Sequence, residues 1–252
     1  MQTYTDLNAW RLARTGADFA NRQIGFVPTM GALHTGHRSL LERARAENER
    51  VVLSIFVNPT QFDDPADLTR YPRTLDADLA LATGLADAVI LPAADQLYPD
   101  SYTYRVTENS LSRRWEGAQR PGHFDGVLTV VLKLLQLVQA HRAYFGEKDW
   151  QQLELVRGMV RAFFVATEIV ACPIMRDADG LALSSRNRRL SPQGRTHVAQ
   201  FPAVLRNAPD AGVAAQELSS RGFLVDYVDD HHGVRLGAVR VEGVRLIDNV
   251  RL

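Results

Sequence analysis

Two short runs rich in β-branched residues, 24–29 and 51–57, bracket a stretch at 37–48 in which charged side chains recur around Leu40, Leu41 and Ala44 at helical spacing. The periodicity predicts a strand, a helix and a second strand. Alternation continues with a helix at 75–83, a strand at 88–91, a helix at 127–139, a strand at 143–145 and a helix at 150–163. Strands alternating with helices over this length predict a parallel, doubly wound sheet covered on both faces. Past residue 172 the pattern breaks into the polar turn Arg176-Asp177-Ala178-Asp179-Gly180 and then becomes irregular, with β-type stretches at 224–228 and 234–241. The expected organisation is an α/β domain over 1–166 and a smaller α+β domain over 167–252.

Composition narrows the function classes. The 252 residues carry 29 basic and 29 acidic side chains, so no overall field draws in nucleic acid or an anionic membrane. The amino terminus lacks the basic start and apolar run of a secretory signal, and the apolar segment 127–138 is broken by Lys133 and Gln136 and falls short of the roughly 20 residues that span a bilayer. One cysteine, Cys172, forms no internal disulfide and no cysteine-rich zinc site, which points to a reducing, cytoplasmic setting. Lys133 and Lys148 are the only lysines in an arginine background. Lys133 interrupts an apolar helix and is expected to carry its charge outward. Lys148 follows a strand, where a compact, mobile ammonium suits phosphate chemistry.

In doubly wound sheets ligands gather after the strands' carboxyl ends. His34-Thr35-Gly36-His37 stands where the first such strand hands over to its helix, a place where unpaired N–H groups and the helix dipole favour a phosphate. Gly36 lets a nucleotide approach the backbone. A His-x-x-His pair by itself is more often structural, and zinc lacks further ligands nearby. Asn58 and Gln61 follow the second strand with amides that both donate and accept; alone, Asn-Pro-x-Gln reads as a turn. Ser184, Ser185 and Arg186 supply hydroxyls and a forked cation suited to a triphosphate, or form an ordinary polar loop. Asp76 and Asp78 at a helix start are ordinarily caps. No metal ligands are assigned.

The string Pro28-Thr29-Met30-Gly31-Ala32-Leu33-His34-Thr35-Gly36-His37 resembles the His-x-Gly-His signature of an adenylyl-transferring superfamily and, in its longer form, the pantoate–β-alanine ligase family. Further strings are similar to that family's motifs in the same order: Phe56-Val57-Asn58-Pro59-Thr60-Gln61-Phe62, Tyr71-Pro72-Arg73-Thr74, Arg120-Pro121-Gly122-His123-Phe124, Phe145-Gly146-Glu147-Lys148-Asp149, Ser184-Ser185-Arg186-Asn187 and Arg245-Leu246-Ile247-Asp248-Asn249. The resemblance implies a Rossmann-like first domain. It places Met30, Gly31, Ala32, Leu33, His34, Thr35, Gly36, His37, Gly146, Glu147, Lys148, Asp149, Met175, Leu183, Ser184, Ser185 and Arg186 at ATP. It likewise places Gln61, Gln152, Asn58, Arg120 and His123 at the small substrates. After Pro192 the chain is expected to be shorter than the family's usual carboxyl-terminal domain, giving a shortened lid.

The reaction so implied is ligation of pantoate and β-alanine through a pantoyl-adenylate, with Mg²⁺ accompanying ATP. His34, His37, Lys148 and Arg186 are expected to neutralise charge on the phosphates, His37 being the best proton or hydrogen-bond donor. The family implies a homodimer. Two rivals remain open on the sequence: a nucleotidyltransferase acting on a phosphorylated acceptor, and a nucleotide-binding module without turnover.

Overall fold

A computed structural model describes the whole chain, Met1–Leu252. It divides into two compact units. The first comprises Met1–Leu33, His37–Gly146 and Gln151–Cys172. The second comprises Pro173–Leu252 together with the short pieces His34–Gly36 and Glu147–Trp150.

The first unit is built on six parallel strands: β1 (Gln2–Tyr4), β2 (Ile24–Thr29), β3 (Arg50–Ile55), β4 (Ala88–Ile90), β5 (Arg142–Gly146) and β6 (Glu168–Cys172), in the order β1-β4-β3-β2-β5-β6. The helices of the chain up to β6 are α1 (Leu7–Thr15), α2 (Thr35–Glu47), α3 (Pro65–Arg70), α4 (Leu75–Ala82), α5 (Ala94–Leu97), α6 (Trp115–Gln119), α7 (His123–Val138) and α8 (Trp150–Ala162). Val51, Val52, Leu53 and the whole of β4 are buried, as continuous apolar runs in a sheet covered on both faces must be.

The strand order reverses between β2 and β5, where only Gly25 and Phe26 pair with Arg142 and Ala143. Pro28 therefore falls where that pairing has ended, and its missing N–H leaves no gap in the β2–β5 ladder. Reversal of this kind opens a crevice at the carboxyl ends of the two strands. Met30 and Gly146 stand at those ends.

The expected boundary at 166/167 lies too early. β6 pairs along its length with β5, from Arg142↔Glu168 to Gly146↔Cys172, so the division falls between Cys172 and Pro173. Lys133 also differs from expectation. Its Nζ donates to the Leu97 carbonyl at 2.7 Å and pairs with Asp100 at 3.2 Å, lying 4.8 Å from the Tyr98 ring centroid, so it ties α7 to the loop after α5.

The second unit carries α9 (Pro192–Val198), α10 (Phe201–Asn207), α11 (Ala211–Ser220) and an antiparallel sheet of β7 (Leu224–His231), β8 (Val234–Val241) and β9 (Val244–Arg251) in that order. Phe201, Val204, Leu205, Ala214 and Leu218 bury at helical spacing with Val239, Val241 and Leu246. The Arg235 side chain, 1% exposed, is satisfied by Asp230 and by the Leu205 and Ala208 carbonyls, which fastens the sheet to α10.

Candidate active site

The turn after β2 takes a backbone path that needs support. Gly31 has φ +82° and Ala32 φ +50°, the second unusual for a residue with a Cβ. The support is Asp78 on α4, 2% exposed. Its two oxygens accept from the Ala32 and Leu33 N–H groups at 2.9 and 2.8 Å, and Thr74 Oγ1 donates to it at 3.1 Å. Thr29 Oγ1 adds a bond from the Gly31 N–H at 3.2 Å and itself donates to the Ser54 carbonyl at 2.8 Å. Asp78 is thus engaged in shaping the turn. No group of three or more His, Cys, Asp or Glu side chains is placed to hold a metal.

Gln61 lies in the 3₁₀ turn Pro59–Gln61 that follows β3. It is the hub of a second cluster. Asn58 Nδ2 donates to Gln61 Oε1 at 3.0 Å and to the Gly126 carbonyl at 3.2 Å. Asn58 Oδ1 accepts from Tyr98 Oη at 2.8 Å and from Thr60 Oγ1 at 3.0 Å. A Cβ at Gly126 would stand 2.4 Å from the Thr60 carbonyl oxygen, so glycine there is what lets α7 pack directly on this turn. Asn58, 1% exposed, has its amide occupied at both ends.

Arg120 and His123 converge on the backbone of the same turn. Arg120 Nη2 donates to the Gln61 carbonyl at 3.2 Å, while its Nε pairs with Asp63 at 3.0 Å. The guanidinium Nη1 lies 3.2 Å from His123 Nε2. A guanidinium only donates, so Nε2 accepts, the proton sits on Nδ1, and Nδ1 donates to the Gln61 carbonyl at 2.8 Å. Burial foremost, then the Arg120 charge, pulls the His123 pKa down to about 4 and keeps the ring neutral.

Gln152 is half-buried on α8. Its neighbour Gln151, which no motif marks in the sequence, is buried and accepts from the Glu116 N–H at 3.0 Å while donating to the Leu111 and Arg114 carbonyls at 2.8 and 2.9 Å. His37 is half-buried on α2.

In the second unit, the pieces His34–Gly36 and Glu147–Trp150 join the segment that begins at Pro173. His34 Nδ1 accepts from the Gly36 N–H at 3.1 Å, which puts the proton of the neutral ring on Nε2. Burial, reinforced by the Lys148 and Arg188 charges, pulls its pKa down to about 4. A Cβ at Gly36 would meet the His34 ring at 2.8 Å, so glycine is required here by the histidine itself, a nearer cause than the approach of a nucleotide.

Lys148, with a side chain 19% exposed, stands in the 3₁₀ turn Glu147–Asp149 and lies 3.7 Å from Asp149. That turn is gripped by β9: Asn249 Nδ2 donates to the Glu147 and Lys148 carbonyls at 2.9 and 3.0 Å. Asp248, 1% exposed at its side chain, takes a bidentate pair from Arg176 at 2.6 and 2.9 Å, and Arg176 also donates to the Gly180 and Asn249 carbonyls. From this anchor the loop runs to Met175 and Leu183, whose backbones bond at 2.9 Å. It continues to Ser184, which caps the 3₁₀ turn Ser185–Arg189 by accepting from the Arg186 N–H at 3.2 Å. Asp248 and Asn249 were legible only as a motif; the grip on Lys148 shows what the motif does.

A doubly wound sheet with a supported turn after β2 and anchored polar groups after β5 defines an α/β protein with the framework of a nucleotide-dependent enzyme. Comparison with known proteins identifies the lineage. Residues 1–251 match the family described as pantoate–β-alanine ligase, and the chain belongs to that family. Pantothenate synthetase of Bdellovibrio bacteriovorus is 51% identical, the match covering all of this chain and 98% of that one; that of Legionella pneumophila (strain Corby) is 47% identical, with both chains covered in full. Among solved structures, the pantoate–β-alanine ligase of Francisella tularensis, complexed with β,γ-ATP and β-alanine, superposes with TM-score 0.93 at 38% identity, covering 100% of this chain and 97% of that one. The pantothenate synthetase of Thermus thermophilus gives 0.90 at 41%, covering 100% and 99%. These relatives match the chain in length, carboxyl-terminal region included.

Proposed function

We propose that the protein condenses pantoate with β-alanine to pantothenate at the expense of ATP, through a pantoyl-adenylate. A carboxylate and an amine at neutral pH form a salt, so amide synthesis requires the carboxyl oxygen to become part of a leaving group. The pantoate carboxylate oxygen attacks the α-phosphorus and pyrophosphate departs. The β-alanine amine then attacks the acyl carbon, loses a proton, and AMP leaves with the oxygen that bridged carbon and phosphorus. The observation that carries this reading is the full-length match to a ligase solved with a nucleotide and β-alanine.

Each residue takes a role its surroundings support. Gln61 and Gln152 hold pantoate, Gln61 through the amide that the Asn58 cluster orients. Asn58, Arg120 and His123 serve the same substrates chiefly by fixing the 59–61 turn, whose partners they already are. Met30, Gly31, Ala32, Leu33, Thr35 and Gly36 form the nucleotide turn, and Gly146, Glu147, Asp149, Met175, Leu183, Ser184 and Ser185 supply further ATP contacts. His34, neutral with Nε2–H as donor, works with Lys148 and Arg186 on the phosphate oxygens, and His37 donates a hydrogen bond or proton as pyrophosphate leaves. Mg²⁺ enters as MgATP, held through phosphate oxygens in the usual manner of that ion.

The enzyme works as a homodimer in the cytoplasm, on small molecules and without nucleic acid or membrane; no helix is long and apolar enough to cross a membrane. Purified protein given MgATP, pantoate and β-alanine, with each omitted in turn, tests the reading. AMP formation is expected to require both small substrates. Sustained AMP formation on a phosphorylated acceptor alone would instead assign a nucleotidyltransferase, and ATP binding without any turnover a passive module.

A further inference from the structure

We propose that Tyr98 is a positioning residue that holds the Asn58–Gln61 relay firm, so that the Nε2 of Gln61 stays presented to the acid substrate. The inference rests on the pantoate reading of Gln61 and adds to it the polarity of recognition.

An amide oxygen and nitrogen are told apart by their partners, and here backbone groups decide. The Thr60 N–H, which only donates, lies 3.4 Å from one end of the Asn58 amide; the Gly126 carbonyl, which only accepts, lies 3.2 Å from the other. The first end is therefore Oδ1 and the second Nδ2. Thr60 Oγ1 at 3.0 Å and Tyr98 Oη at 2.8 Å both reach Oδ1, and Tyr98 Oη also lies 3.3 Å from Thr60 Oγ1. Nδ2 then meets Gln61 at 3.0 Å, so the Gln61 atom it meets must accept and is Oε1. The Nε2 of Gln61 is the end left for a ligand, and it carries donors only.

A chain of fixed polarity thus runs from the Tyr98 hydroxyl through Asn58 to Gln61, and it ends in N–H groups suited to a carboxylate or a hydroxyl oxygen. The Tyr98 proton is secure. Burial foremost pushes the phenol up to about 12, so it donates at every working pH. The ring is fixed in turn, with Tyr102 packed edge-on at 5.5 Å and Lys133 Nζ at 4.8 Å from its centroid. Removing the hydroxyl takes from Asn58 Oδ1 its shortest donor and leaves Thr60 alone to hold it, so the relay keeps its polarity but loosens, and Gln61 Nε2 is held less firmly toward the acid.

Tyr98→Phe is the direct test because it keeps the ring. Steady-state kinetics are expected to show the KM for pantoate raised about tenfold and the KM for ATP unchanged within about twofold, the loss expected when a binding donor loses its support. Gln61→Glu, which replaces the donor end by an acceptor, is expected to raise the pantoate KM about a hundredfold, with Tyr98→Phe adding little on top of it, as coupled residues do. An unchanged pantoate KM, or equal losses for pantoate and ATP, overturns the proposal. A second readout is independent of turnover: in ¹⁵N-labelled wild-type protein the Asn58 side-chain amide protons should exchange slowly, and in Tyr98→Phe at least tenfold faster. Equal exchange rates also overturn it. Failure of the wild type to use pantoate would remove the substrate reading while leaving the exchange measurement to decide the role of Tyr98.

Discussion

In the proposed reaction His34 and Lys148 divide the work that two cations would otherwise share. With its pKa at about 4 and Nδ1 committed to the Gly36 N–H, His34 is a neutral donor at working pH. Lys148 carries the mobile charge. Replacing Lys148 by Ala is expected to slow pyrophosphate release in a single turnover by about 10²- to 10³-fold, the usual loss of a preorganised electrostatic contact. Lys148→Arg is expected to recover little, since a planar guanidinium cannot follow the moving charge as an ammonium does. His37→Ala should slow the same step steeply with its thermal unfolding transition retained; an unaffected rate removes His37 from the chemistry. The position of Lys148 just after β5 was legible from the apolar run that precedes it. The neutrality of His34 was not, because it depends on burial and on Arg188, which no local pattern joins to it.

At the scale of elements, the turn after β2 and the turn Glu147–Asp149 are each held by a side chain remote in sequence. Asp78→Ala leaves the buried Ala32 and Leu33 N–H groups without their acceptor, a cost of about 2–6 kcal/mol at the usual 1–3 kcal/mol per group, measurable by urea unfolding. The KM for ATP should rise with it. Asn249→Ala should lower kcat about tenfold while stability falls by only about 1 kcal/mol, since the lost bonds are to half-buried carbonyls; kinetics paired with thermal melts would separate the two effects.

Strands β2, β3 and β4 and helices α2, α4, α7 and α8 were legible because their apolar positions recur at strand or helix spacing. Helices α10 and α11 lie outside the predicted elements, although Phe201, Val204 and Leu205 on the one and Ala214 and Leu218 on the other carry the i, i+3, i+4 signal that announces them. The helix α1 also lies outside the predicted elements, despite the Asp6 cap on the Asn8 N–H and the buried Leu7 and Trp10. Contacts such as Gly126 against Thr60, or Asp78 beneath Ala32, arise only when distant elements meet, and no local pattern encodes them.

For the molecule as a whole, acid acts on stability through two histidines that folding holds neutral. His34 and His123 have folded-state pKa values of about 4, below the usual 6.5, so between those values the unfolded chain binds more protons. Stability is therefore full above about pH 6.5 and falls as pH drops towards 4, with a slope of up to about 1.4 kcal/mol per pH unit from the buried His123 and less from the more exposed His34. His123→Asn, which keeps a donor near the Nδ1 position, should flatten that slope in urea titrations run from pH 7 to 4; an unchanged slope would show that other groups carry it. Balanced charge, 29 basic against 29 acidic residues, leaves little long-range field. In the proposed reaction one pantoate carboxylate oxygen ends on AMP. Pantoate labelled with ¹⁸O in its carboxylate, turned over with MgATP and β-alanine, should yield AMP carrying one ¹⁸O atom by mass spectrometry; label in inorganic phosphate, or AMP free of it, would contradict the account.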